Sequence, residues 1–279
     1  MTAGRGPHTG WLAAGIALFG ALALAAGIVI GTHVPRRAPE DSLAADFARL
    51  QSSLHAMAGI AISAVGSGRQ PLVLGDLRGG AAWSTIKVPL VIAALRAEKP
   101  PVVTPAMTVA ITESDNAAAE SLWAGLGDPG TAARAVDAIL RQAGDPTSVQ
   151  SRRTRPEFSA FGQTDWALAD QVRFISVAWC DPVNAPVFAL MGHVDAAQRW
   201  GIGVIDGARF KGGWGPSPTG GYLVRQLGVL ATPAGATAIS LAAQPDSGRF
   251  EDGVADLSKI ADWLVEHRAA LPAGSCGSP

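Results

Sequence analysis

Lysine is scarce in this chain, with four residues against eighteen arginines. Arginine thus carries nearly all the positive charge, and Lys87 and Lys211 stand out as compact amines able to shed a proton, which a guanidinium does not do. Cysteine is scarcer still, limited to Cys180 and Cys276, which excludes a dense disulfide framework. Cys276 sits in a Gly/Ser/Pro stretch, residues 272–279, that reads as a flexible tail. Two free thiols are therefore expected, with one disulfide as the alternative in an oxidising compartment. The five histidines, His8, His33, His55, His193 and His267, contain no pair at metal-ligand spacing, so no metal and no cofactor is expected. A run of Lys/Arg is also missing, and the formal net charge is -1. Nucleic acid is excluded as a partner on that basis.

Residues 11–30 carry no charge, and at 1.5 Å rise per residue such a run spans about 30 Å, the hydrocarbon thickness of a bilayer. The run is longer than the apolar part of a typical signal peptide, so an uncleaved anchor is expected. Small-residue sites at Ala21-Leu22-Ala23 and Ala23-Leu24-Ala25 leave cleavage and secretion as the alternative. Arg5 precedes the run and Arg36 and Arg37 follow it, so charge alone does not orient it. The expected organisation is a short cytoplasmic tail, anchor and linker over 1–40, a globular body over 41–271, and the tail.

Leu43, Phe47, Leu50 and Leu54 recur at helical spacing, and residues 58–65 and 70–74 read as a strand hairpin around Gly-Ser-Gly. Residues 85–97 are apolar almost all round, as in a helix buried at the centre of a domain. Helical patterns continue over 117–123, 131–143 and 165–179, giving a helical lobe at about 84–200. Residues 208–211, 222–230 and 237–243 then read as strands, and 251–270 as a closing amphipathic helix. Helix, hairpin, helical insert, three strands and helix describe an α+β fold, its five-stranded sheet largely antiparallel and flanked by the terminal helices.

Three motifs carry chemistry. Ser84 and Lys87 are three residues apart, which on a helix places them on one face, so the amine can bond the hydroxyl and accept its proton once burial lowers its pKa. Ser84 at a helix start also has a free backbone N–H where an oxyanion would form. Ser114-Asp115-Asn116 places a hydroxyl and an amide on a turn entering a helix, and Lys211-Gly212-Gly213 follows a strand. Singly these have ordinary readings, since Ser and Asp are good helix caps and a cation in a turn is unremarkable. In this order and setting they correspond to the Ser-x-x-Lys, Ser-Asp-Asn and Lys-Thr-Gly set of penicillin-recognising serine enzymes.

The body, about 41–271, thus resembles the superfamily of class A β-lactamases and penicillin-binding DD-peptidases. The resemblance implies Ser84 as nucleophile, Lys87 as base or relay, and Ser114 and Lys211 as proton-shuttling and carboxylate-attracting groups. It implies Asn116 as partner of Lys87 and of a substrate amide, and the backbone N–H groups of Ser84 and Trp214 as the oxyanion hole. Gly212 and Gly213 would border the substrate.

The chain departs from that pattern in three places. Gly212 removes the hydroxyl that binds a substrate carboxylate in the family, and Arg225 on the next strand is a candidate to replace it or an ordinary strand arginine. Only thirty positions separate Ser84 from Ser114, a shortened lobe. For deacylation the resemblance requires a loop carboxylate, and Glu157 is the candidate, with Asp165 expected to pair with Arg155 and close the loop. Trp200, Trp214 and Phe161 are candidate cleft-lining aromatics. The expected activity is that of a membrane-anchored, extracytoplasmic serine hydrolase forming an acyl-enzyme on a β-lactam or cell-wall peptide amide. A peptidoglycan DD-peptidase or a catalytically silent cell-envelope binding protein are the alternatives.

Overall fold

The computed structural model describes residues 39–277, so the expected anchor at 11–30 lies outside the described residues. Among those described, no helix is long and apolar enough to cross a membrane. The chain runs through α1 (Pro39–Gln51), β1 (Ala56–Ala64), β2 (Leu72–Gly75), α2 (Lys87–Ala97), α3 (Pro105–Thr112), α4 (Asn116–Gly125), α5 (Pro129–Gln142), α6 (Leu168–Ala178) and α7 (Ala185–Leu190). It closes with β3 (Arg209–Pro216), β4 (Tyr222–Thr232), β5 (Gly235–Pro245) and α8 (Phe250–Glu266). The sheet is antiparallel throughout, in the order β2-β1-β5-β4-β3. This is the expected α+β architecture.

Period-two alternation divides the sheet into two unlike faces. Ile60, Ile62, Ile239 and Leu241 point toward the terminal helices, where they join Leu43, Phe47, Leu257, Ile260 and Leu264. The opposite face carries Gly59, Ala61, Ala238, Ser240 and Ala242, and α6 lies on it: the Ser240 hydroxyl donates to the Leu168 carbonyl at 2.7 Å. A Cβ at Gly59 would lie 1.9 Å from the Leu77 carbonyl oxygen and 3.3 Å from the Leu168 side chain. Small residues here let the helical lobe settle against the strands. Helix α2, all apolar apart from its ends, runs through that second core.

The expectation for the two cysteines is overturned: Cys180 and Cys276 form a disulfide with Cα atoms 5.2 Å apart. The segment expected to be a loose tail is held as well. Ala236 and Gly274 exchange backbone hydrogen bonds at 2.7 and 3.0 Å, and Thr237 donates to the Pro272 carbonyl. Paired backbone, rather than composition, decides whether a Gly/Ser/Pro stretch is ordered.

Candidate active site

Ser84 does not open an α-helix as its spacing suggests. It is the second residue of a 3-10 turn, Trp83–Ile86, that leads into α2. Trp83 just before it has φ 49°, and Ser114 has φ 60°. A non-glycine residue in this left-handed region costs on the order of 1–2 kcal/mol. Both costs fall at the site, as strain at functional positions commonly does. β3 presses against the turn: a Cβ on Gly213 would stand 2.8 Å from the Ser84 amide nitrogen and 2.9 Å from that of Thr85. Gly213→Ala is therefore expected to displace the Ser84 turn and slow acylation of Ser84 more than it lowers the unfolding midpoint; equal losses in the two measurements would contradict this.

Three of the predicted groups meet at one hydroxyl. Lys211 donates to Ser114 Oγ at 2.8 Å and to the Gly212 carbonyl at 2.9 Å. Lys87 donates to the Ser114 carbonyl at 2.6 Å, to Asn116 Oδ1 at 2.7 Å and to Ser114 Oγ at 3.4 Å. The Asp115 carboxylate caps α4 by accepting from the Ala118 amide, which explains why the turn ends where it does. Ser84 borders the same cleft, yet its hydroxyl has no hydrogen-bond partner among the described residues. The expected Ser84–Lys87 bond is thus not formed in this state, because Lys87 directs its protons across to the Ser114 turn.

Burial lowers the Lys87 pKa to about 8, against the opposing pull of Asp115 and Glu120. Lys211 has no exposed surface, and burial, then repulsion from Lys87, hold its pKa well below the ordinary value. Two amines around one hydroxyl favour loss of a proton from the pair.

The main-chain groups of β3 can be oriented from their partners. The Phe210 amide donates outward to the Met191 carbonyl, Gly212 O accepts from Lys211, and Pro216 O accepts from Arg155 at 2.5 Å. Alternation then turns the Trp214 N–H to the same free edge, away from β4. The Ser84 N–H, at the start of its turn, has no acceptor within that turn. These are the two amides expected to form an oxyanion hole.

The cleft has a volume of about 250 Å³ and is lined by Trp83, Ser84, Lys87, Asn116, Glu120, Arg153, Glu157, Phe158, Phe161 and Trp214 among others. A larger cavity of about 450 Å³ around His193 and Arg209 is lined by no serine, threonine, cysteine or lysine. Glu157 reaches the cleft with its side chain 57% exposed and pairs with Arg155 at 3.3 Å. The expected Arg155–Asp165 closure is not made. Instead one amide, Gln163, ties the loop: it accepts from the Arg155 N–H and the Thr154 hydroxyl and donates to the carbonyls of Arg155, Phe158 and Ser159. Arg155 stacks over Phe158 at 4.3 Å.

Sequence reasoning missed Glu120, which pairs with Arg153 at 2.7 Å. Its signal was its place four residues after Asn116, one turn along the same helical face. Trp200 packs on Trp214, with ring centroids 5.9 Å apart, and is not part of the cleft wall itself.

Arg225 is not a substrate-binding residue. It is 0% exposed and points from β4 into the core beneath the Ser84 turn. There it donates to the carbonyls of Gly80, Ala81 and Trp166 and to Gln171 Oε1, at 2.7–2.9 Å. Burial lowers its pKa to about 9. β4 is covered on both faces, so its pattern gave no facing. Arg225→Met strands several buried acceptors and is expected to cost about 3 kcal/mol in denaturant unfolding; an unchanged midpoint would show that water replaces the guanidinium.

No family model matches this sequence, and no curated protein matches it either. Solved structures do. A class A β-lactamase from Bacteroides cellulosilyticus DSM 14838 superposes with a TM-score of 0.67 at 15% identity, covering 82% of this chain and 98% of that one. The fold is that of a class A β-lactamase. A β-lactamase from Sphaerobacter thermophilus DSM 20745 (TM-score 0.62, 18% identity, 84% and 99% covered) agrees. So does an ancestral class A β-lactamase (0.61, 17%, 80% and 99%). Within the β-lactamase fold the cleft lies where the helical lobe, carrying Ser84 and Ser114, meets the sheet edge carrying Lys211.

Proposed function

We propose that the chain is a β-lactamase-like serine hydrolase that forms an acyl-enzyme on Ser84. The observation that carries this reading is the convergence of Lys87, Lys211 and Asn116 on the Ser114 turn beside the Ser84 hydroxyl. In the reaction, Ser84 attacks the carbonyl of an amide or cyclic amide while the amides of Ser84 and Trp214 hold the oxyanion. The neutral form of Lys87 takes the serine proton, a contact that forms with substrate bound, since catalytic hydrogen bonds often tighten only then. Ser114, bonded to both amines, passes a proton to the leaving nitrogen. Water then releases the acyl group, with Glu157 or Glu120 as the available carboxylates. Exposure of Glu157 and its pairing with Arg155 favour slow release, and so also support a DD-peptidase acting on cell-wall peptides.

The reading includes an extracytoplasmic body held by a membrane anchor over 11–30. The Cys180–Cys276 disulfide supports an oxidising compartment.

The test is intact-mass detection of an adduct after exposure to a penicillin, a cephalosporin and a small aryl ester, with peptide mapping of the modified residue. An adduct on Ser84 is expected. Modification elsewhere, or none with any probe, would leave a silent β-lactamase fold. Glu157→Gln and Glu120→Gln identify the deacylating carboxylate, whose loss is expected to slow adduct release by about 10²-fold.

A further inference from the structure

The cleft's charges are accounted for before any substrate enters. Lys87 is buried and fully engaged with Ser114 and Asn116. Arg153 is paired with Glu120, and Arg155 with Glu157 and the Pro216 carbonyl. Lys211 and Arg225 are 0% exposed. At the cleft, then, the two arginines are paired with carboxylates, Lys87 and Lys211 spend their N–H groups on neutral protein acceptors, and two carboxylates line the wall. An anion placed there would lose its hydration and meet no uncommitted lysine N–H donor in exchange.

What the strand edge offers instead is aromatic surface. A Cβ on Gly212 would lie 3.4 Å from the Trp200 ring and 3.7 Å from the Trp214 ring. A side chain at 212 would thus project onto indole surface. Gln226 fixes Trp200 from behind, donating to its carbonyl at 2.7 Å and accepting from the Ile202 amide. Trp214 is braced by Phe250 at 5.3 Å and borders the cleft.

Building on the proposed acyl-enzyme reading, we propose that this cleft selects an acyl donor that is uncharged where it meets β3, seating a flat apolar group on Trp214 in place of a carboxylate. Burial and repulsion from Lys87 lower the Lys211 pKa, which works in the same direction by disfavouring its charged form. A flat ring on Trp214 gains from ring–ring contact beyond the area it buries.

The test compares benzylpenicillin with its methyl ester, which differ in that one charge and one added methyl. Calorimetric titration of the full chain carrying Ser84→Ala reads binding without turnover. The ester is expected to bind at least about tenfold more tightly, a difference near 1.4 kcal/mol, and Trp214→Ala in the same background is expected to remove most of that preference. Tighter or equal binding of the free acid overturns the proposal, as does failure of both to bind. Acylation of Ser84 in the unsubstituted chain is scored separately. Ester-selective binding with no acylation by either compound would sink the hydrolase reading while leaving the selectivity standing.

Discussion

Lys87→Met is expected to slow acylation of Ser84 by about 10³-fold, the scale of a lost general base. The unsubstituted chain should show an acylation rate that rises with pH through about 8, because burial lowers Lys87 to that value and only its neutral form accepts the serine proton. Glu120→Gln removes a carboxylate that favours the ammonium form, so the pKa falls and the rising limb moves to lower pH. Lys87→Met should abolish the limb. Stopped-flow acylation with the aryl ester across this pH range separates the three proteins, and circular dichroism confirms that each is folded. A limb that survives unchanged in Lys87→Met would move the base role to Lys211.

The second large effect is on stability. The disulfide closes a loop with a sequence separation of 96 residues, and the chain-entropy account gives such a loop about 4.7 kcal/mol. Reduction, or replacement of both cysteines by serine, is expected to lower the unfolding free energy by most of that amount in denaturant titration. Strand β5 and the end of α6 should lose hydrogen-exchange protection first, because the tie joins the segment paired with Ala236 to the turn after α6. An unchanged midpoint in reducing buffer would mean that the Ala236–Gly274 and Thr237–Pro272 hydrogen bonds hold the segment without it.

Strand and helix order, and the residues gathered around Ser114, were legible because they depend on periodicity and on motif order, both local properties. Ser114, Asn116, Lys87 and Lys211 do meet. The Ser84 turn was misread as α-helix because left-handed Trp83 leaves no mark in composition. Arg225 was misplaced because a strand covered on both faces has no polar side to set its register. The loop around Glu157 was misread for a different reason. Arg155 had two carboxylates within reach in sequence, and the residue that organises the loop, Gln163, is an uncharged amide whose bonds to four neighbouring residues only the folded chain displays. The cysteine pair was missed because tail composition says nothing of a backbone bridge to Ala236.

The row of small residues under α6 has a mechanical meaning. Ser84 and Ser114 ride on the lobe while Lys211 belongs to the sheet, so the gap between them is gauged by the thickness of a layer made from Gly59, Ala61, Ala238, Ser240 and Ala242. Apart from the Ser240 hydroxyl, which holds the Leu168 carbonyl, such a layer has almost nothing to lose by truncation. Its vulnerability runs the other way: an added methyl there acts as a wedge, widening the seam across which Lys211 reaches Ser114 Oγ at 2.8 Å. The sheet's most featureless residues are in this sense the shim that sets the spacing between Ser114 and Lys211.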